Sequence, residues 1–73
     1  MPLAQIKVIE GVFNADQKRR IVEEVTNAIA SVEAESLRDK TYVLIEEVPS
    51  GQWGIGGDAI TTDHVREMMA AGT

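Results

Sequence analysis

From Leu3 to Ile9 the chain alternates, with Ala4, Ile6 and Val8 on one side and Gln5 and Lys7 on the other, a period of two that predicts a half-buried strand. Gly11 breaks it. Asn14 then stands where a helix N-cap belongs, with Gln17 three residues on in a capping-box spacing and Asp16 in the first turn, facing the helix dipole. Ile21, Val25, Ala28, Ile29 and Val32 recur as one apolar stripe, while Lys18, Arg19, Glu23 and Glu24 fall on the wet side. This predicts an amphipathic helix to about Val32 or Glu33. A polar connector leads to Thr41–Val48, a short, β-branched, nearly continuous apolar run that suits a strand covered on both faces. Pro49 ends it. Four glycines in Ser50–Gly57 predict a tight turn or hairpin, after which Thr61 or Thr62 caps a short helix through Met69.

Strand, helix and strand in about fifty residues make one βαβ unit, so residues 1–73 are read as a single α/β domain with parallel strands and a right-handed crossover. A two-stranded sheet with a helix on one face leaves its other face and both edges open. Strand two is too apolar for that exposure, so self-association is expected. Size points the same way, since a chain of 73 residues buries only roughly 60% of the surface it exposes unfolded. The absence of cysteine excludes disulfide staples and thiolate metal sites, and one histidine cannot build a zinc site, so no metal is expected.

Seven basic against twelve acidic residues give a formal net charge of -5, which argues against nucleic acid and anionic membrane and favours a small-molecule partner. No apolar run approaches a membrane span, and the first residues lack the basic and apolar regions of a signal peptide; cytoplasmic residence is expected.

Two motifs dissolve on inspection. "GIGGDA" (Gly54–Ala59) spells a dinucleotide fingerprint, yet only fourteen residues follow it, too few for the βαβ unit that such a loop serves, and no cofactor is expected. Ser50, Asp58 and His64 carry the residue types of a hydrolase triad, but Ser50 lacks the strand-to-helix elbow that exposes such a nucleophile. Glu46 and Glu47, adjacent in a strand, leave on opposite faces and cannot work as an acid/base pair. Trp53, in the glycine-rich turn, has two uses open to it, filling an oligomer core or walling a ligand site.

Pro2 is the residue with chemistry. Proline gives no N–H to a sheet, so its place at the head of a strand is either that of an edge starter or of something else. Methionine is removed as a rule when a small residue follows, and loss of Met1 turns Pro2 into a rigid secondary amine. An α-amino group titrates near 7.7 to 8, a secondary amine somewhat higher, and burial or a nearby cation lowers it toward neutrality, where a general base works best.

Taken together, "PLAQIKVIEG" from Pro2, "DQK" at Asp16–Lys18 and "GQWGIGG" at Gly51–Gly57, at this spacing and length, resemble the 4-oxalocrotonate tautomerase family over residues 2 to about 60. The resemblance implies βαβ protomers that pair into dimers with a four-stranded sheet, and hexamers built as trimers of dimers. It implies that Pro2 is the catalytic amino-terminal proline, moving a proton between a dienol oxygen and a carbon of a 2-keto acid. Trp53 would match the family's aromatic pocket residue.

The departures bear on substrate. The family's members with the named activity carry an arginine just after the "EG" and another at the head of strand two, where this chain has Val12 and Tyr42. Neither clamps a carboxylate bidentately. Lys7, Arg38 or Lys40 could compensate, with Lys40 ranked first because it lies two residues before Tyr42 and shares its face if the strand extends that far. The expected function is therefore a proline-based tautomerase acting on an enol or 2-keto acid less carboxylate-rich than a muconate. Two other readings stay open. One is a hydratase or dehalogenase acting on unsaturated acids, with Glu10 or Glu47 positioning water near Pro2; the other is a non-catalytic assembly or binding module of the same fold.

Overall fold

The computed structural model describes residues 1–72, in the order β1 (Leu3–Ile9), α1 (Ala15–Val32), a 3-10 helix (Glu35–Lys40), β2 (Tyr42–Val48), β3 (Trp53–Ile55), β4 (Asp58–Ile60) and α2 (Thr62–Gly72). β1 and β2 are parallel, in register from Leu3 opposite Tyr42 to Ile9 opposite Val48. β3 and β4 form a separate antiparallel hairpin.

The local signals act as their chemistry requires. Asn14 Oδ1 accepts from the Gln17 N–H at 2.8 Å while Gln17 Oε1 accepts from the Asn14 N–H at 2.9 Å, a closed capping box. Gly56 and Gly57 both carry positive φ, +59° and +90°, as a two-residue type I′ turn demands, so the glycine run is a hairpin. The Thr61 hydroxyl accepts from the His64 N–H at 3.2 Å and closes the first turn of α2, which runs to Gly72, past the expected end at Met69.

Several expectations change. The connector before β2 is ordered as a 3-10 helix, pinned by Arg38, whose guanidinium donates to both Glu35 carboxylate oxygens and to Asn27 Oδ1, and β2 starts at Tyr42 rather than Thr41. In α1 the covered stripe is Ile21, Val22, Val25, Thr26, Ile29 and Ala30, while Ala28 is exposed and Val32 is 87% exposed. Ala30, in the same last turn, is 2% exposed, so the turn itself is covered; Ala28 and Val32, four residues apart on one side of the helix, stand at the margin of a stripe that follows Val22, Thr26 and Ala30. Lys18, expected on the wet side, is partly covered because it meets Glu47.

β2 is covered on one face only. Val43 and Ile45 turn toward α1, whereas Tyr42 and Leu44 are 52% and 46% exposed and lie beside Leu3 at 55%. Ile9 and Ala30 are the only buried apolar residues among those described. The Cα radius of gyration is 14.8 Å, where a compact chain of this length has about 11 Å, and the accessible surface is 5240 Å² against about 4450 Å² for a typical monomer of 8.0 kDa. The chain is an open arrangement of regular elements with little interior.

Candidate functional site

The strands run parallel, so the sheet has an amino end, where β1 and β2 begin, and a carboxyl end, where they finish. Pro2 lies at the amino end, half-buried, its carbonyl accepting the Tyr42 N–H at 3.0 Å. That bond joins the two through the backbone alone: the register sets Tyr42 opposite Leu3, so the side chains of Pro2 and Tyr42 leave by opposite faces. Lys40 closes the 3-10 helix just before, exposed and outside the strand, so the condition for its sharing Tyr42's face is not met.

The carboxyl end carries the cavity. Its volume is about 400 Å³, and Val12 and Trp53 line it together with Ile9, Phe13, Ile60 and Met68. Every lining residue is apolar. A lattice of hydrogen bonds sets the hairpin and α2 there. The Glu10 carbonyl accepts from the Thr62 hydroxyl at 2.6 Å, Glu10 Oε1 accepts from the Ser50 N–H at 3.0 Å, and Ser50 Oγ accepts from the Thr62 N–H at 2.9 Å. Ser50 thus serves as a structural acceptor. Gly11 turns the chain out of β1 with φ +78°, a backbone conformation that favours glycine; a Cβ there would meet Thr62 Cγ2 at 3.4 Å, ordinary contact, so conformation and not space sets the residue.

One charged cluster flanks this turn. Glu47 Oε1 lies 2.6 Å from Lys18 Nζ, and Glu47 Oε2 accepts from the Gly11 N–H at 3.1 Å. These contacts, the Lys18 hydrogen bond foremost, hold the Glu47 carboxyl below its ordinary range against a smaller opposing effect of burial. Glu46 leaves by the other face toward Lys7, at 3.9 Å. Glu10 and Glu47, the carboxylates considered for a water-positioning role, are at the carboxyl end and already engaged, a strand's length from Pro2.

The residues singled out in the sequence therefore form two groups, Pro2, Tyr42 and Lys40 at one end and Val12 and Trp53 at the other, separated by β1, roughly 20 Å long. Missing from that set were the walls contributed by α2, Val65, Met68 and Met69. Their i, i+3, i+4 spacing is an apolar stripe that was present in the sequence.

The family model described as "Tautomerase enzyme" matches residues 2–63. A 2-hydroxymuconate tautomerase of Pseudomonas putida is 40% identical over 58 residues, 80% of this chain and 89% of that protein. A probable tautomerase of Dickeya dadantii is 31% identical over 61 residues, 84% of this chain and 90% of its own. Among solved structures, a chain from the kinetic and structural characterization of 4-oxalocrotonate tautomerase isozymes of Methylibium petroleiphilum superposes with a TM-score of 0.70 at 34% identity, covering 88% of this chain and 97% of that one.

Proposed function

Because the chain belongs to the tautomerase family, whose named members are isomerases, we propose that it interconverts an enol and its 2-keto acid with Pro2, freed of Met1, as the general base. The observation that carries this reading is where the likeness begins: the family match starts at Pro2 itself, the residue held at the sheet's amino end by the Tyr42 N–H. A secondary amine there takes the enol proton and returns it to carbon, and such base catalysis contributes roughly 10² to 10⁴-fold.

The base and the apolar cavity lie a strand's length apart in one protomer, so the reading requires that Pro2 act on a substrate held in another protomer's cavity. The open sheet face of Leu3, Tyr42 and Leu44 and the extended shape support self-association, and a hexamer of three dimers is the assembly proposed. Val12 and Tyr42 offer no guanidinium to a second carboxylate, which favours a substrate less carboxylate-rich than a muconate.

Turnover of phenylpyruvate and 2-hydroxymuconate by processed wild type and by Pro2→Ala tests the reading. Proline should surpass the primary amine of alanine by at least tenfold, with phenylpyruvate preferred; equal rates would remove Pro2 from the mechanism.

A further inference from the structure

The walls of the carboxyl-end cavity carry no charge, yet a 2-keto acid brings at least one. The elements that build the cavity also carry a cation next to one of its lining residues. Arg66 stands on α2 between Val65 and the Met68–Met69 pair, all three lining residues, and its Nη2 donates to the Gly11 carbonyl at 2.6 Å, one residue from Val12. Its carboxylate neighbour is Asp63, at a loose 3.7 Å with both side chains largely exposed. Lys18, which reaches the same turn, is instead neutralised by Glu47 at 2.6 Å. Arg19 and Arg38 are likewise held by Asp16 and Glu35 at 2.8 and 2.9 Å. The Gly11 carbonyl takes one of the five N–H groups of Arg66 and cancels none of its charge.

We propose that Arg66 recognises the substrate carboxylate and so sets specificity, and that the substrate is a monoanionic 2-keto acid or its enol whose apolar side chain fills the cavity. The assignment rests on the tautomerase reading. It concerns a residue beyond the segment matched by the family model, which ends at residue 63. The hydrogen bond to Gly11 fixes the guanidinium beside the lining residue Val12, leaving its other N–H groups to meet a carboxylate, while Trp53 and the two methionines accept the hydrocarbon. A dicarboxylate gains little, because its second charge would enter apolar walls.

Trp53, the single tryptophan, lines the cavity and reports binding without any turnover. Its fluorescence is titrated with 3-phenylpropionate and with the neutral 3-phenylpropanol in wild type, Arg66→Gln and Arg66→Lys. Wild type should prefer the acid, Arg66→Gln should lose roughly 10- to 100-fold in acid affinity with the alcohol unchanged, and Arg66→Lys should lose severalfold on the acid alone. An Arg66→Gln variant that keeps the acid preference overturns the assignment. So does parallel loss of both probes, which would make Arg66 a support for the Gly11 turn. Should the glutamine variant not fold, a lysine variant indistinguishable from wild type has the same consequence. Because the titration involves no proton transfer, failure of the Pro2 test leaves its outcome readable, and failure here leaves the base intact.

Discussion

The Tyr42 N–H donates to the Pro2 carbonyl at 3.0 Å, carrying the β1–β2 ladder one residue past the Leu3–Tyr42 pair. The Pro2 carbonyl is fixed by the sheet while its nitrogen lies beyond the last ladder bond. With Met1 removed, the pyrrolidine ring would bar rotation about N–Cα and hold the amine's lone pair in one direction relative to Cα. Proline is thus compatible with this position for the reason that makes it a poor interior strand residue: no N–H is needed from it.

Processing should accordingly act as an on switch. Protein that retains Met1 has an amide at Pro2 and no basic amine there, and its kcat/KM on phenylpyruvate should fall by roughly 10² to 10⁴ relative to processed protein. Intact mass gives the fraction processed, and activity should scale with it.

The open face of the sheet should be an interface. At micromolar concentration the chain should sediment well above 8 kDa, and Leu44→Asp, which puts a charge among Leu3, Tyr42 and Leu44, should drive it toward monomer. Loss of activity should follow if base and cavity come from different protomers. A stable wild-type monomer, or an active monomeric variant, would refute the composite site.

The Lys18–Glu47 pair sets an acid limit. Its folded-state carboxyl is depressed, so its contribution to stability is present above the ordinary carboxylate range and is lost as pH falls through the lowered value. Thermal midpoints of Glu47→Gln should lie below wild type at pH 7 and converge with it in acid. Parallel curves would show that the pair does not contribute.

Val12 lines the cavity at the turn where Arg66 docks, so Val12→Arg adds a second cation there. One charge-assisted contact is worth roughly 1.5 to 3 kcal/mol, and 2-hydroxymuconate should gain about tenfold or more in kcat/KM over phenylpyruvate. In the assembled particle the added charge should also lower the Pro2 amine, moving the acid limb of the pH profile downward. No gain on the dicarboxylate would mean that the cavity is not the substrate site.

What could be read along the chain was whatever is settled by residues a few positions apart. The alternation of Leu3–Ile9, the Asn14–Gln17 box, the Gly56–Gly57 turn and the Thr61 cap depend on periods and neighbours of one to four residues, and each forms as its chemistry dictates. Lys18 misled because its partner Glu47 lies 29 positions away, and a helix face counts as wet only until something folds against it. Val32 departs because the covered stripe runs through Thr26 and Ala30, a polar and a small residue that hydrophobicity alone does not select. Arg66 and Gly11, 55 positions apart, meet only because the hairpin returns α2 to the end of β1. The division of the candidate residues between two ends of the protomer has the same origin. Parallel pairing places Pro2 and Tyr42 at one end and sends Val12 and Trp53 to the opposite end, a consequence of strand direction that no residue pattern carries.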